Sequence, residues 1–141
     1  MSTAVTPETS LAGTYLTFVG DPMCSWSYGF GKELSLLSER YPDLPVDILV
    51  GGVQAGATEP MSEEMKRFRL SHWHRVEKAS GLPFNREAFM KLQGYVYDTE
   101  PACRAIVALR SVSPKASQLA VFRAIQHAFY AEGRDTSDGQ V

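Results

Sequence analysis

The chain has 141 residues, enough for one domain or for one domain carrying an inserted subdomain. Hydrophobic residues make up 44% and charged residues 21%, which argues against disorder, and no apolar run approaches the roughly 20 residues of a membrane span. Lys and Arg number 14 against 16 Asp and Glu, and the resulting net charge of −2 offers no basic field to a nucleic acid.

Met1 to Gly13 has no Lys or Arg and no apolar run of signal-peptide length, so residues 1–13 read as a flexible leader and the chain as cytoplasmic. Thr14–Val19, rich in β-branched and aromatic residues, predicts a strand that Gly20-Asp21-Pro22 ends. A helix is expected over Ser25–Glu39, with Phe30, Leu34, Leu37 and Tyr41 on one face, and Pro42 and Pro45 stop it. Val46–Val50 is nearly all apolar and reads as a strand buried on both faces. Strand, helix and strand make a βαβ unit with a right-handed crossover.

Gly51–Ala57 is a glycine-rich loop without the Gly-Lys-Ser/Thr ending of a phosphate loop, so it does not predict nucleotide binding. Everything after it reads as helix. Ser62-Glu63-Glu64 opens a helix to Ser80 with a stripe of Met65, Phe68, His72 and Val76, and Gly81 closes it. Asn85 caps a short helix reaching Leu92, Thr99 caps another that ends at Ser113-Pro114, and the last runs over Lys115–Ala131 with Leu119, Phe122, Ile125 and Phe129 on one side, stopped at Gly133. The division expected is the leader, one half of an α/β domain over 14–57, and a helical subdomain over 58–141. Two parallel strands alone bury little, so the sheet reads as incomplete.

Chemistry concentrates between the first strand and its helix, in Asp21-Pro22-Met23-Cys24-Ser25-Trp26-Ser27. A cysteine there faces free amide N–H groups and the positive end of the helix dipole, which favour an anion; its pKa is expected below the free thiol value of about 8.5. The thiolate is the nucleophile of disulfide exchange. Against this stands the plain reading, a small residue filling a helix–sheet seam. Gly29 and Gly31 weaken the helix by about 1 kcal/mol each, and a start delayed to Lys32 would leave Cys24 without the dipole. Asp21 reads as a proton acceptor or, more simply, as a turn residue. Trp26 reads as a wall of the approach to the thiol or as packing. His72 and His74 stand two apart on a helix and point to different sides, so packing and solvent explain them better than a shared metal.

The string Asp21-Pro22-Met23-Cys24-Ser25-Trp26-Ser27-Tyr28-Gly29-Phe30 resembles the active-site segment of the DsbA-like thiol oxidoreductases, in the branch of predicted protein-disulfide isomerases. Val96–Ala105 and Ala128–Asp135 resemble the same branch. The resemblance implies a thioredoxin-like fold with a helical insertion after the second strand and Cys24 as catalytic nucleophile. It implies no metal or bound cofactor, glutathione as a co-substrate, and a disulfide-containing protein or a small thiol as partner. The family continues into two further strands led by a cis-proline that faces the cysteine; none of the eight prolines here stands in such a context, so the resemblance implies a chain that stops before that part.

The family pattern Cys-x-x-Cys reads Cys24-Ser25-Trp26-Ser27 here. A hydroxyl forms no disulfide, so a mixed disulfide on Cys24 waits for an external thiol, while Ser27 is placed to donate a hydrogen bond to the thiolate. A monothiol exchanger, a trapping variant and a member with a different task stay open, as do a glutathione-dependent transferase or isomerase of small molecules and a non-catalytic module. Cys103 reads as core packing rather than as a resolving thiol.

Overall fold

In a computed structural model, residues 12–113 and 117–140 are described. The expected leader therefore lies almost wholly outside the described residues, as do the stop at Pro114 and the helix start at Lys115. The elements are β1 (Leu16–Gly20), α1 (Ser25–Arg40), β2 (Val46–Val50), α2 (Glu63–Ser80), α3 (Arg86–Lys91), α4 (Glu100–Val112) and α5 (Gln118–Tyr130). β1 and β2 pair in parallel, Leu16 opposite Val46 and Gly20 opposite Val50.

The helix boundaries follow the chemistry of their caps. The Ser62 and Asn85 side chains accept from the amides of Met65 and Ala88, and Gly81 takes the left-handed conformation that ends α2. Thr99 does not cap α4 with its side chain; its hydroxyl accepts instead from Gln54 N–H at 3.2 Å, while Asp98 Oδ1 takes the Glu100 amide. Gly29 and Gly31 do not delay α1. Both are buried where the helix meets its neighbours: a Cβ at Gly29 would lie 2.6 Å from Val76 Cγ1, and one at Gly31 would fall on the Arg123 guanidinium. Their weak helix propensity is exchanged for close approach.

The core has two parts. An aromatic cluster gathers Tyr28 of α1, Trp73 and Val76 of α2, Phe84, Phe89, Tyr95, Tyr97, and Phe129 and Tyr130 of α5. Tyr28 and Tyr130 stack at 4.7 Å between centroids, and the Trp73 ring lies 4.6 Å from Phe89. A smaller aliphatic cluster joins Leu34, Ile48, Ile106, Leu119 and Phe122 under one face of the sheet.

Three expected apolar faces are corrected. β2 is not buried on both sides: only Ile48 is buried, and Leu49 and, on β1, Val19 face outward. The α1 stripe holds at Leu34 and Leu37 but not at Phe30 and Tyr41, which are exposed, and Tyr28, Gly29 and Gly31 join the buried side. On α2, Val76 is buried as expected, but Met65 and Phe68 are exposed, by 53% and 67%, while Lys66 and Trp73 turn inward instead. Buried Lys66 is tolerated because its ammonium meets the carbonyls of Met90 and Leu92 at the end of α3 and the carboxylate of Glu63. No helix among the described residues is long and apolar enough to cross a membrane.

Candidate active site

Cys24 is the N-cap residue of α1, half-buried, with extended backbone angles of φ −88° and ψ 121°. Its carbonyl starts the helix by accepting from Tyr28 N–H at 3.0 Å. No side chain caps this helix, and among the described residues the amides of Ser25, Trp26 and Ser27 have no protein acceptor. Cys24 therefore stands at a helix start with unspent amides, as expected, but its side chain makes no cap hydrogen bond to them.

The turn before Cys24 is fastened from three sides. Asp21, 1% exposed, accepts from Met23 N–H at 2.8 Å through Oδ1, and its Oδ2 takes Val53 N–H at 2.9 Å and the Cys103 thiol at 3.6 Å. It acts as a turn residue and as a tie to the glycine-rich loop. The Met23 carbonyl accepts two hydroxyls, Tyr130 Oη at 2.6 Å and that of Tyr97. Pro22 and Met23 are both buried. The three strings that resemble the DsbA-like proteins thus converge at one peptide, although more than a hundred residues separate Met23 from Tyr130. Sequence spacing carried no sign of this convergence, nor of the loop amides of Val53, Gln54 and Gly56 that bind Asp21, Thr99 and Asp98.

Burial next to Asp21 pushes the Cys103 thiol up to about 12, and burial holds the Tyr97 phenol at about 12 against the opposing pull of the Arg69 guanidinium. Both groups stay protonated near neutrality and serve as donors. Cys103 and Cys24 are both free thiols. Cys103 is buried, as expected for packing, but its thiol is spent on Asp21.

Cys24 lines a hollow of about 720 Å³ whose walls include Met23, Met65, Phe68, Arg69 and His72. The exposed α2 stripe is therefore a wall and not core, and the His72 ring packs edge-on against Phe68 at 4.8 Å. His74 is exposed on α2. Ser25 also lines this space, but Trp26 does not; half-exposed, it borders a shallower groove with Phe30 and Val76 between α1 and α2. The reading of Trp26 as a wall of the thiol approach is corrected: one residue along a helix turns a side chain by about 100°, enough to take it out of the hollow. Ser27 is corrected as well. Its Oγ accepts from Asp21 N–H at 3.4 Å, and no hydrogen bond joins it to Cys24.

Neither a protein-family model nor a curated protein matches the chain. Among solved structures it is similar to one described as a "putative protein disulfide isomerase" from Nitrosomonas europaea, with 36% identity and a TM-score of 0.76, covering 88% of this chain and 58% of that one. It is also similar to the cytosolic disulfide reductase DsbM from Pseudomonas aeruginosa, alone and with GSH, each at 26% identity and a TM-score of 0.73 over 88% of this chain. The chain spans 58 to 59% of the length of these proteins. It is DsbA-like in fold as well as in motif.

Proposed function

We propose that the chain is the thiol-bearing part of a thiol–disulfide oxidoreductase or disulfide isomerase, with Cys24 as its nucleophile in a monothiol mechanism. The carrying observation is Cys24 as the N-cap residue of α1, on the wall of a large apolar hollow. The hollow gives a substrate disulfide room to approach the sulfur. The similarity to a disulfide reductase and to a protein described as a disulfide isomerase supports the reading.

In the first step the Cys24 thiolate attacks one sulfur of a substrate disulfide. The sulfur–sulfur bond breaks, its electron pair leaves on the other sulfur, and that thiolate takes a proton from water. Ser27 has no sulfur with which to resolve the mixed disulfide. A second, external thiolate attacks the substrate sulfur, forms a new disulfide with it and returns Cys24 as thiolate. Glutathione fits this second role, and the GSH-bound form of DsbM supports it. The chemistry needs neither a metal nor a bound cofactor. Disulfide-containing proteins or small thiols are the partners in this reading, and the description of DsbM as cytosolic supports a cytoplasmic setting.

The test is disulfide turnover coupled to glutathione. Cys24→Ala is expected to lower the rate at least a hundredfold, while Cys103→Ser retains it within a few-fold. Alkylation by iodoacetamide, located by peptide mapping, is expected to run far faster at Cys24 than at the buried Cys103. Turnover that survives in Cys24→Ala, or turnover of electrophiles with glutathione but none of disulfides, refutes the proposal.

A further inference from the structure

Arg69 lies on the wall of the hollow that Cys24 lines, half-buried on α2. Its guanidinium sits 3.7 Å from the centroid of the Tyr97 ring. Among the described residues it has no hydrogen bond and no carboxylate partner. Arg86 pairs with Glu77, Arg104 with Glu100, and Arg123 donates to Tyr28 O and Gln126; exposed Arg67 and Arg75 also lack a protein partner among the described residues, but of these three unpartnered arginines only Arg69 lines the hollow. A guanidinium that carries five N–H donors, stacks on an aromatic face and directs none of them to the protein is a receptor for a planar anion.

Its position is not a matter of side-chain chance. Tyr97 is 3% exposed and held at both ends, its hydroxyl on the Met23 carbonyl and its face under Arg69. The residue that fixes the backbone before the reactive sulfur also seats the cation. Met65 and Phe68, on neighbouring turns of α2, add exposed apolar surface to the same wall. Glu64 is the other ion of the wall, but it lies at the first turn of α2, more exposed than Arg69, where water screens it.

We propose that Arg69 is a specificity-determining residue that binds a carboxylate of the disulfide or thiol reacting at Cys24, so that anionic substrates are preferred over neutral ones of the same size. The inference rests on the exchange reading for its substrate, but its test does not need turnover.

The probes are iodoacetate and iodoacetamide, which differ by one negative charge and react with the same sulfur. The quantity read is the ratio of their rates at Cys24, located by peptide mapping and compared with the ratio for a free thiol at the same pH. In the native chain the ratio is expected to exceed the free-thiol value by about three- to tenfold, the order of one unit-charge interaction at intermediate screening, and to shrink at 1 M salt. Arg69→Gln is expected to remove most of that excess, and Arg69→Lys to keep it. A structural role for Arg69 would slow both reagents together and leave the ratio unmoved. That result overturns the proposal, as does a native ratio equal to that of a free thiol. A chain that shows the expected ratio yet exchanges no disulfide refutes the exchange reading and leaves the anion subsite standing.

Discussion

The two ends of α1 meet different surroundings. At its start, Tyr28 lies among rings of α2, α5 and the loops, and the Met23 carbonyl accepts from two tyrosines far along the chain. Toward its end, Leu34 and Leu37 rest on a two-stranded sheet whose other face is open, with Val19 67% and Leu49 43% exposed. Rings in edge-on or offset contact add about 0.5–1.5 kcal/mol per pair beyond the area they bury, so stability concentrates where the aromatics are. The thiol thus depends on the helical part of the chain, although its strand–turn–helix setting belongs to the α/β part.

That contrast is open to attack by paired substitutions. Tyr130→Ala removes a fully buried ring together with a hydroxyl donor to the Met23 carbonyl. It is expected to lower stability by about 3–5 kcal/mol in urea unfolding and to slow Cys24 alkylation in the molecules that remain folded. Ile48→Ala, equally buried but in the sheet, is expected to lower stability by about 2–4 kcal/mol and leave that alkylation rate unchanged. Equal effects of the two on the sulfur would break the comparison.

A second difference lies in alkali. Cys103 and Tyr97 titrate near 12 in the folded chain, above ordinary values of 9.0 and 10.0. The unfolded chain therefore releases these protons first. Their contribution to stability is complete below pH 9 and is lost as pH rises toward 12. Unfolding midpoints should fall over that window, and the fall should be shallower in Tyr97→Phe. A midpoint constant to pH 12 would mean that these groups are not buried as donors. The smallest effect belongs to the open face of the sheet: Leu49→Thr is expected to change stability by less than about 0.5 kcal/mol, and a loss above about 1 kcal/mol would show that this face is covered in solution.

The sequence predicts the fold most clearly where one local rule decides. The βαβ order, the ends of α1 and α2, and the place of Cys24 at a helix start all follow from punctuation and period. It misleads where an apolar period has two uses. Met65, Phe68 and His72 repeat as a core stripe does, yet they face a hollow, because a helix cannot announce whether its apolar side will meet protein or substrate. Lys66 is the converse, a charge that no pattern sends inward until the carbonyls of Met90 and Leu92 gather around it. The fastening of the Cys24 turn was not legible from spacing at all, since Asp21, Val53, Cys103, Tyr97 and Tyr130 meet only in three dimensions; resemblance alone marked the strings that hold most of them.

The carbonyl of Met23 takes a hydroxyl on each of its lone pairs. Rotating the peptide that precedes the sulfur would strand two phenols away from water, a penalty of about 1–3 kcal/mol apiece. The Cys24 backbone is therefore held in place. In the proposed exchange, a substrate disulfide meets a stationary sulfur, which favours partners whose disulfide is protruding or flexible over those in which it is recessed and stiff.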